Sequence, residues 1–256
     1  MLLFHLFGTV VEWIKPIHDE LYTQMAERAW SRPGAKSFVT NQNMFKFAGQ
    51  WSDSHKRLVE SFGADVQLKN KADAIDGHHH ETLVELFEAW GFRGEFTEAQ
   101  LREMSRAWRR LSPQADAAGG LAVLDEHFGL AAVCGNPELI DDLRVSAGRT
   151  HFRRPVAPWE LGAYRPSPSA YLEAAAAGHF EPGECALVSA RLADLATARE
   201  LGFRTIYVSR FGEEDLSEDE EEQARQWVDM WIGPWDGGLL EIARRMGIQT
   251  EGVRFY

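Results

Sequence analysis

Residues 2–7, Leu-Leu-Phe-His-Leu-Phe, form an apolar run that breaks at Gly8-Thr9 and resumes as Val10-Val11-Glu12-Trp13. A short run this apolar, closed by a glycine, reads as a strand buried on both faces, the kind that belongs to a parallel sheet covered by helices. In open α/β sheets the ligand crevice lies just beyond the carboxyl ends of the strands. His5 and Thr9 are therefore expected at the rim of the sheet.

The rest of the chain supports a sheet of that kind interrupted once. From Lys15 to roughly Gln114 the apolar spacing is helical. Ile17, Leu21, Met25 and Trp30 share one face, and Ser31-Arg32-Pro33-Gly34 is a stop signal. Residues 43–62 carry an amphipathic helix or a pair of them, and Gly77-His78-His79-His80 reads as a polar approach to the helix beginning near Thr82. Thr97-x-x-Gln100 is a capping box for a helix through Leu111. A return helix is expected over Ala115–Leu124. Short apolar runs then alternate with helices: Leu130–Cys134, Cys185–Ser189, Ile206–Val208 and Val228–Ile232, with a last helix over Gly238–Met246. That alternation predicts an α/β fold, a doubly wound parallel sheet with a helical insert after the first strand.

Four stretches carry a family resemblance. They are Phe4-His5-Leu6-Phe7-Gly8-Thr9-Val10-Val11-Glu12-Trp13, Leu130 to Asn136, Ala163-Tyr164-Arg165-Pro166-Ser167-Pro168-x-x-Tyr171, and Ser189-Ala190-Arg191-x-x-Asp194. Together they resemble the four motifs of the haloacid dehalogenase superfamily, in particular the L-2-haloacid dehalogenases. The resemblance implies an α/β core of residues 1–14 and 115–256 and a helical cap of residues 15–114, with the site in the cleft between them. In that family an Asp stands at position 5 and attacks the substrate to form an ester that water hydrolyses. This chain has His5 there. It also has Cys134 for the family's Ser, Arg165 for its Lys and Arg191 for its Asn, and Gly135-Asn136 reverses the order of its Asn-Gly pair. Ser52 occupies the place of the cap Arg that grips the substrate carboxylate.

His5, with an ordinary pKa of about 6.5, suits proton transfer at neutral pH better than nucleophilic attack. Asp194 is read either as the counterion of Arg165 or as the group that orients His5. Arg165 offers a planar fork to a carboxylate, which a Lys does not. Cys134 is a small apolar residue or, beside His5 and Arg165, an activated thiol. Thr9, Cys134, Tyr171, Ser189 and Arg191 are expected to bind substrate by resemblance. The leading functional expectation is acid/base chemistry by His5 (elimination, isomerisation or cyclisation) on an organic acid or carbonyl compound. The alternatives are hydrolysis in which His5 activates water with no aspartyl ester, and an inactive binding or regulatory protein.

Charge and composition narrow the partners. A net charge of −12 argues against nucleic acid and anionic membranes. Two unpaired cysteines, no apolar run of the ~18–20 residues that span a bilayer, and no signal-peptide pattern point to a cytoplasmic protein. The acidic run from Glu213 to Gln223 is expected to be solvated. His78–His80 are adjacent and so poorly placed to converge on one ion. Of the acids that hold Mg²⁺ in the superfamily's phosphatases only Asp194 remains, so neither metal nor cofactor is expected. The implied partner is a small, anionic substrate, and the family suggests a homodimer.

Overall fold

The computed structural model describes residues 1–30, 38–61, 71–133 and 168–250. The chain packs into two units, one of residues 1–12 and 112–256 and one of residues 13–111.

The first unit is built on a five-stranded sheet: β1 (Leu2–His5), β4 (Leu130–Val133), β5 (Ala186–Ser189), β6 (Arg204–Val208) and β7 (Met230–Ile232), in the order β4-β1-β5-β6-β7. Every pairing is parallel. β1 lies between β4 and β5, with His5 opposite Val133 and Phe4 opposite Val188. Covered on both faces, it has no solvent side on which to place polar residues, which is why it reads as a continuous apolar run. From β1 the chain later pairs on one side as β4 and on the other as β5, so the carboxyl end of β1 is the switch point where such sheets open a crevice.

Helices α5 (Ala117–Asp125), α6 (Pro168–Ala177), α7 (Leu192–Glu200), α8 (Glu218–Arg225) and α9 (Leu239–Arg245) accompany the sheet. One core cluster joins Leu3 and Val133 of the sheet to Tyr171 of α6, Leu195 of α7, and Phe203. A short antiparallel pair, β2 (Val11–Glu12) with β3 (Ser112–Pro113), closes the unit where the chain leaves and re-enters it.

The second unit is helical: α1 (Ile14–Trp30), α2 (Asn41–Ser61), α3 (Lys71–Ala89), α4 (Glu98–Ser105) and a 3₁₀ turn (Arg106–Arg109). Its interior is aromatic, with Phe47 and Trp51 of α2 fully buried and Phe87 and Trp108 nearly so. Thr97 caps α4 in the expected box, its hydroxyl accepting from Gln100 N while the Gln100 side chain returns to Thr97 N.

Of the two readings of residues 43–62, a single helix holds over the described residues, since α2 runs unbroken from Asn41 to Ser61. One sequence expectation changes. His78, His79 and His80 do not approach a helix but lie inside one, because α3 begins at Lys71 and passes through Gly77. A glycine in a helix interior costs only about 1 kcal/mol, which the packing of a 19-residue helix absorbs. The stop signal at 31–34, Cys134 and Arg165 lie outside the described residues. Among the described residues no helix is long and apolar enough to cross a membrane.

Candidate active site

β1 delivers His5 to the rim of the sheet, and β5 ends alongside it at Ser189. The chain then turns through Ala190 and Arg191 into α7, whose first turn carries Asp194. His5 Nδ1 lies 3.0 Å from Asp194 Oδ2, with both side chains buried. Ser189 Oγ donates to the same oxygen at 3.2 Å and accepts from Arg191 N at 3.1 Å. Tyr171, fully buried on α6, donates its hydroxyl to Asp194 Oδ1 at 3.3 Å. Thr9 Oγ1 accepts from Ala190 N at 2.9 Å, which ties the turn after β1 to the turn after β5.

This pattern fixes a tautomer. A carboxylate accepts and does not donate, so the His5 Nδ1 facing Asp194 carries the hydrogen. The neutral ring then has its lone pair on Nε2, the arrangement of a general base steadied by an acid behind it. Of the two roles open for Asp194, orienting His5 is the one this geometry provides.

The turn after β1 is tight. Val10 N and Val11 N both reach Leu6 O at 3.0 Å, and Gly8 N reaches Val11 O at 3.0 Å. Gly8 has φ +82°, and a Cβ there would lie 2.2 Å from Glu213 Cδ. Glu213 is therefore no solvated residue. It is 9% exposed and rests its carboxylate on the turn that follows His5.

Its neighbours hold it there. Arg210 donates through Nε to Thr9 O at 2.9 Å and forks onto Asp116 at 2.7 and 2.8 Å. Glu214 accepts from Leu192 N, at the start of α7, at 2.9 Å. Burial pushes the Glu214 carboxyl above its ordinary range, and the like charges of Asp194 and Glu213 add to this against the pull of Leu192 N and Arg191. Gln114, Arg210, Glu213, Glu214 and Trp235 line a hollow of about 810 Å³ beside this turn.

The expectation of a solvated acidic run thus holds for exposed α8 residues such as Glu218, Asp219 and Glu220 but not for Glu213 and Glu214. Nothing in an acidic run marks which members turn inward. Of the residues expected to bind substrate, Thr9, Tyr171 and Ser189 are fully buried and bond to the network around Asp194, and Arg191 joins it through its backbone N–H. Ser52 lies fully buried on α2 in the helical unit. Among the described residues no group of three His, Cys, Asp or Glu side chains stands together as a metal site.

The sheet order and the helical insert after β1 match the α/β fold of solved haloacid dehalogenases. An L-2-haloacid dehalogenase structure superposes with a TM-score of 0.69 at 24% identity, covering 96% of this chain and 98% of that one. A defluorinating L-2-haloacid dehalogenase gives 0.70 at 23% identity, over 96% and 94%. The L-2-haloacid dehalogenase of Xanthobacter autotrophicus gives 0.67 at 18% identity, over 96% and 97%. In sequence, the (S)-2-haloacid dehalogenase of Xanthobacter autotrophicus is 28% identical over 123 residues, a match that covers 48% of this chain and about half, 49%, of that relative. No family model matches the chain.

Proposed function

We propose that this protein is a small-molecule hydrolase in which His5 activates water directly against a carbon–halogen or ester bond, with no ester formed at residue 5. The observation that carries the reading is the buried His5–Asp194 pair, 3.0 Å apart at the carboxyl end of β1. An imidazole whose Nδ1–H is held by a carboxylate is a poor attacking group but a good acceptor for a proton of water. The similarity to haloacid dehalogenases supports hydrolysis over the elimination, isomerisation or cyclisation that the residues alone also permit. The substrate is a small anion, with Arg165 as its anchor and the helical insert as a cap.

In the chemical step His5 Nε2 takes a proton from water as the oxygen attacks carbon. The C–O bond forms, the carbon–halogen bond breaks, and the halide leaves with the bonding pair. A hydroxy acid remains, and the proton on His5 returns to solvent. Asp194 holds the imidazolium that forms.

One turnover in ¹⁸O-water tests this on a panel of 2-haloacids and esters. The label should enter the product in the first turnover while the protein keeps its mass, and His5→Gln should lower kcat by roughly 10²–10⁴-fold. Label appearing first in a protein carboxylate would refute direct attack. A dehydrated or isomerised product without label would restore the acid/base reading.

A further inference from the structure

The helical unit contains a second histidine pair that the chemistry above does not use. His79 of α3 is 4% exposed and stacks on Trp108 of the 3₁₀ turn, with centroids 4.5 Å apart and planes 16° apart. His55 of α2 stacks on the same indole at 5.2 Å. The two imidazoles meet edge to edge, His79 Nε2 to His55 Nδ1 at 3.0 Å. Trp51 of α2 stands edge-on to Trp108 and donates Nε1–H to His79 O at 3.0 Å.

The proton count of this pair is tightly constrained. His79 Nδ1 is buried and makes no hydrogen bond among the described residues. A proton placed there would be a buried, unsatisfied N–H, which costs more than a bare lone pair. The hydrogen of His79 therefore sits on Nε2 and is donated to His55 Nδ1.

Adding a proton breaks this arrangement by either route. On His55 Nδ1 it sets two N–H groups head to head. On His79 it buries a cation and an unsatisfied donor together. Among the described residues, the groups that act on His79 give no relief. Burial holds the His79 ring well below the ordinary histidine range, and His55, His78 and Arg109 all push the same way. His78 Nε2 is committed to Ser54, 3.1 Å from its carbonyl, and Arg109 forks onto Asp76. Lys56 lies over Trp13, which stacks on Trp108.

We propose that the His55–His79 hydrogen bond against Trp108 is a proton-operated latch, which holds α2 on α3 while both rings are neutral and releases that seam on acidification. An opened seam exposes imidazoles that take a proton near the ordinary value of about 6.5, whereas the closed seam resists it. The open form therefore binds more protons, and the closed form loses ground as pH falls below that value. The opened population should rise by up to about tenfold per pH unit for each ring that takes a proton, until the closed form also titrates.

Amide hydrogen exchange of residues 51–58 and 75–82, corrected for the intrinsic rate, tests the latch between about pH 7.5 and 5.5. Protection should fall about tenfold or more in the unmodified protein. It should hold steady in His79→Phe, which keeps a ring on Trp108, and in His79→Gln, whose amide donates to His55 Nδ1 or, turned over, accepts from it once it is protonated; either variant suffices should the other not fold. Equal protection at both pH values, or the same loss in a folded variant, would overturn the proposal.

Discussion

At the scale of single residues, one hydrogen atom decides what the strand-end site can do. Asp194 accepts from Ser189 Oγ and Tyr171 Oη and stands 3.0 Å from His5 Nδ1, and a carboxylate at that distance places the proton of His5 on Nδ1. Asp194→Asn keeps the shape but gives the side chain a donor. The amide N–H turned toward Nδ1 would drive the hydrogen to Nε2, leaving a ring that cannot take a proton from water on that atom. Activity is expected to fall by roughly 10³–10⁴-fold, the size of effect a wrong tautomer produces in hydrolases of this logic. ¹⁵N spectra of the His5 ring check the cause without a substrate, because the protonated and bare nitrogens should exchange assignments. Unchanged ring resonances beside a dead enzyme would remove tautomer control from the account.

At the scale of elements, the site depends on the loop after β6 being fastened to the turn after β1. Arg210 is tied to Thr9 O and Asp116, Glu214 to Leu192 N, and Glu213 lies against Gly8. Gly8→Ala should cost about 1–3 kcal/mol, from the positive φ and from the displaced Glu213 carboxylate. Adding Glu213→Ala should recover the steric part and leave the φ part. A double-mutant cycle in urea separates the two, and strict additivity would mean that loop and turn are not coupled. The strands were legible because burial on both faces leaves a run such as 2–7 no polar alternation to hide behind. His5 was legible from the turn that closes its strand, and Asp194 as its candidate partner from the resemblance of Ser189-Ala190-Arg191-x-x-Asp194 to the dehalogenase motif. Glu213 was not, because its inward turn is set by Arg210 and Asp116, residues 94 positions apart. The histidines of α3 were misplaced for a related reason: Gly77 looks like a boundary locally, and only packing carries the helix through it.

At the scale of the whole molecule, the two units answer acid through different groups. The helical unit carries the His55–His79 pair, which weakens it below about pH 6.5, where an exposed imidazole takes its proton. The α/β unit carries Asp229, just before β7. Burial alone would raise its carboxyl. Donation from Thr205 N at 2.8 Å, Thr205 Oγ1 at 3.0 Å and Arg204 at 3.1 Å outweighs burial and holds it below the carboxylate norm. A depressed acid contributes stability that is full above its unfolded value, about 3.9, and is lost as pH falls through the lower folded value. Each unit has its own core, so the two windows should be separable. At about pH 5, peptides from α2 and α3 should lose amide protection at lower urea than peptides from β5, β6 and β7. At pH 7.5 the gap should narrow, and it should narrow as well in His79→Phe at pH 5. If both sets lose protection together at pH 5, with a midpoint that His79→Phe leaves unmoved, the chain unfolds as one cooperative body and the acid sensitivity of the histidine pair does not reach its stability.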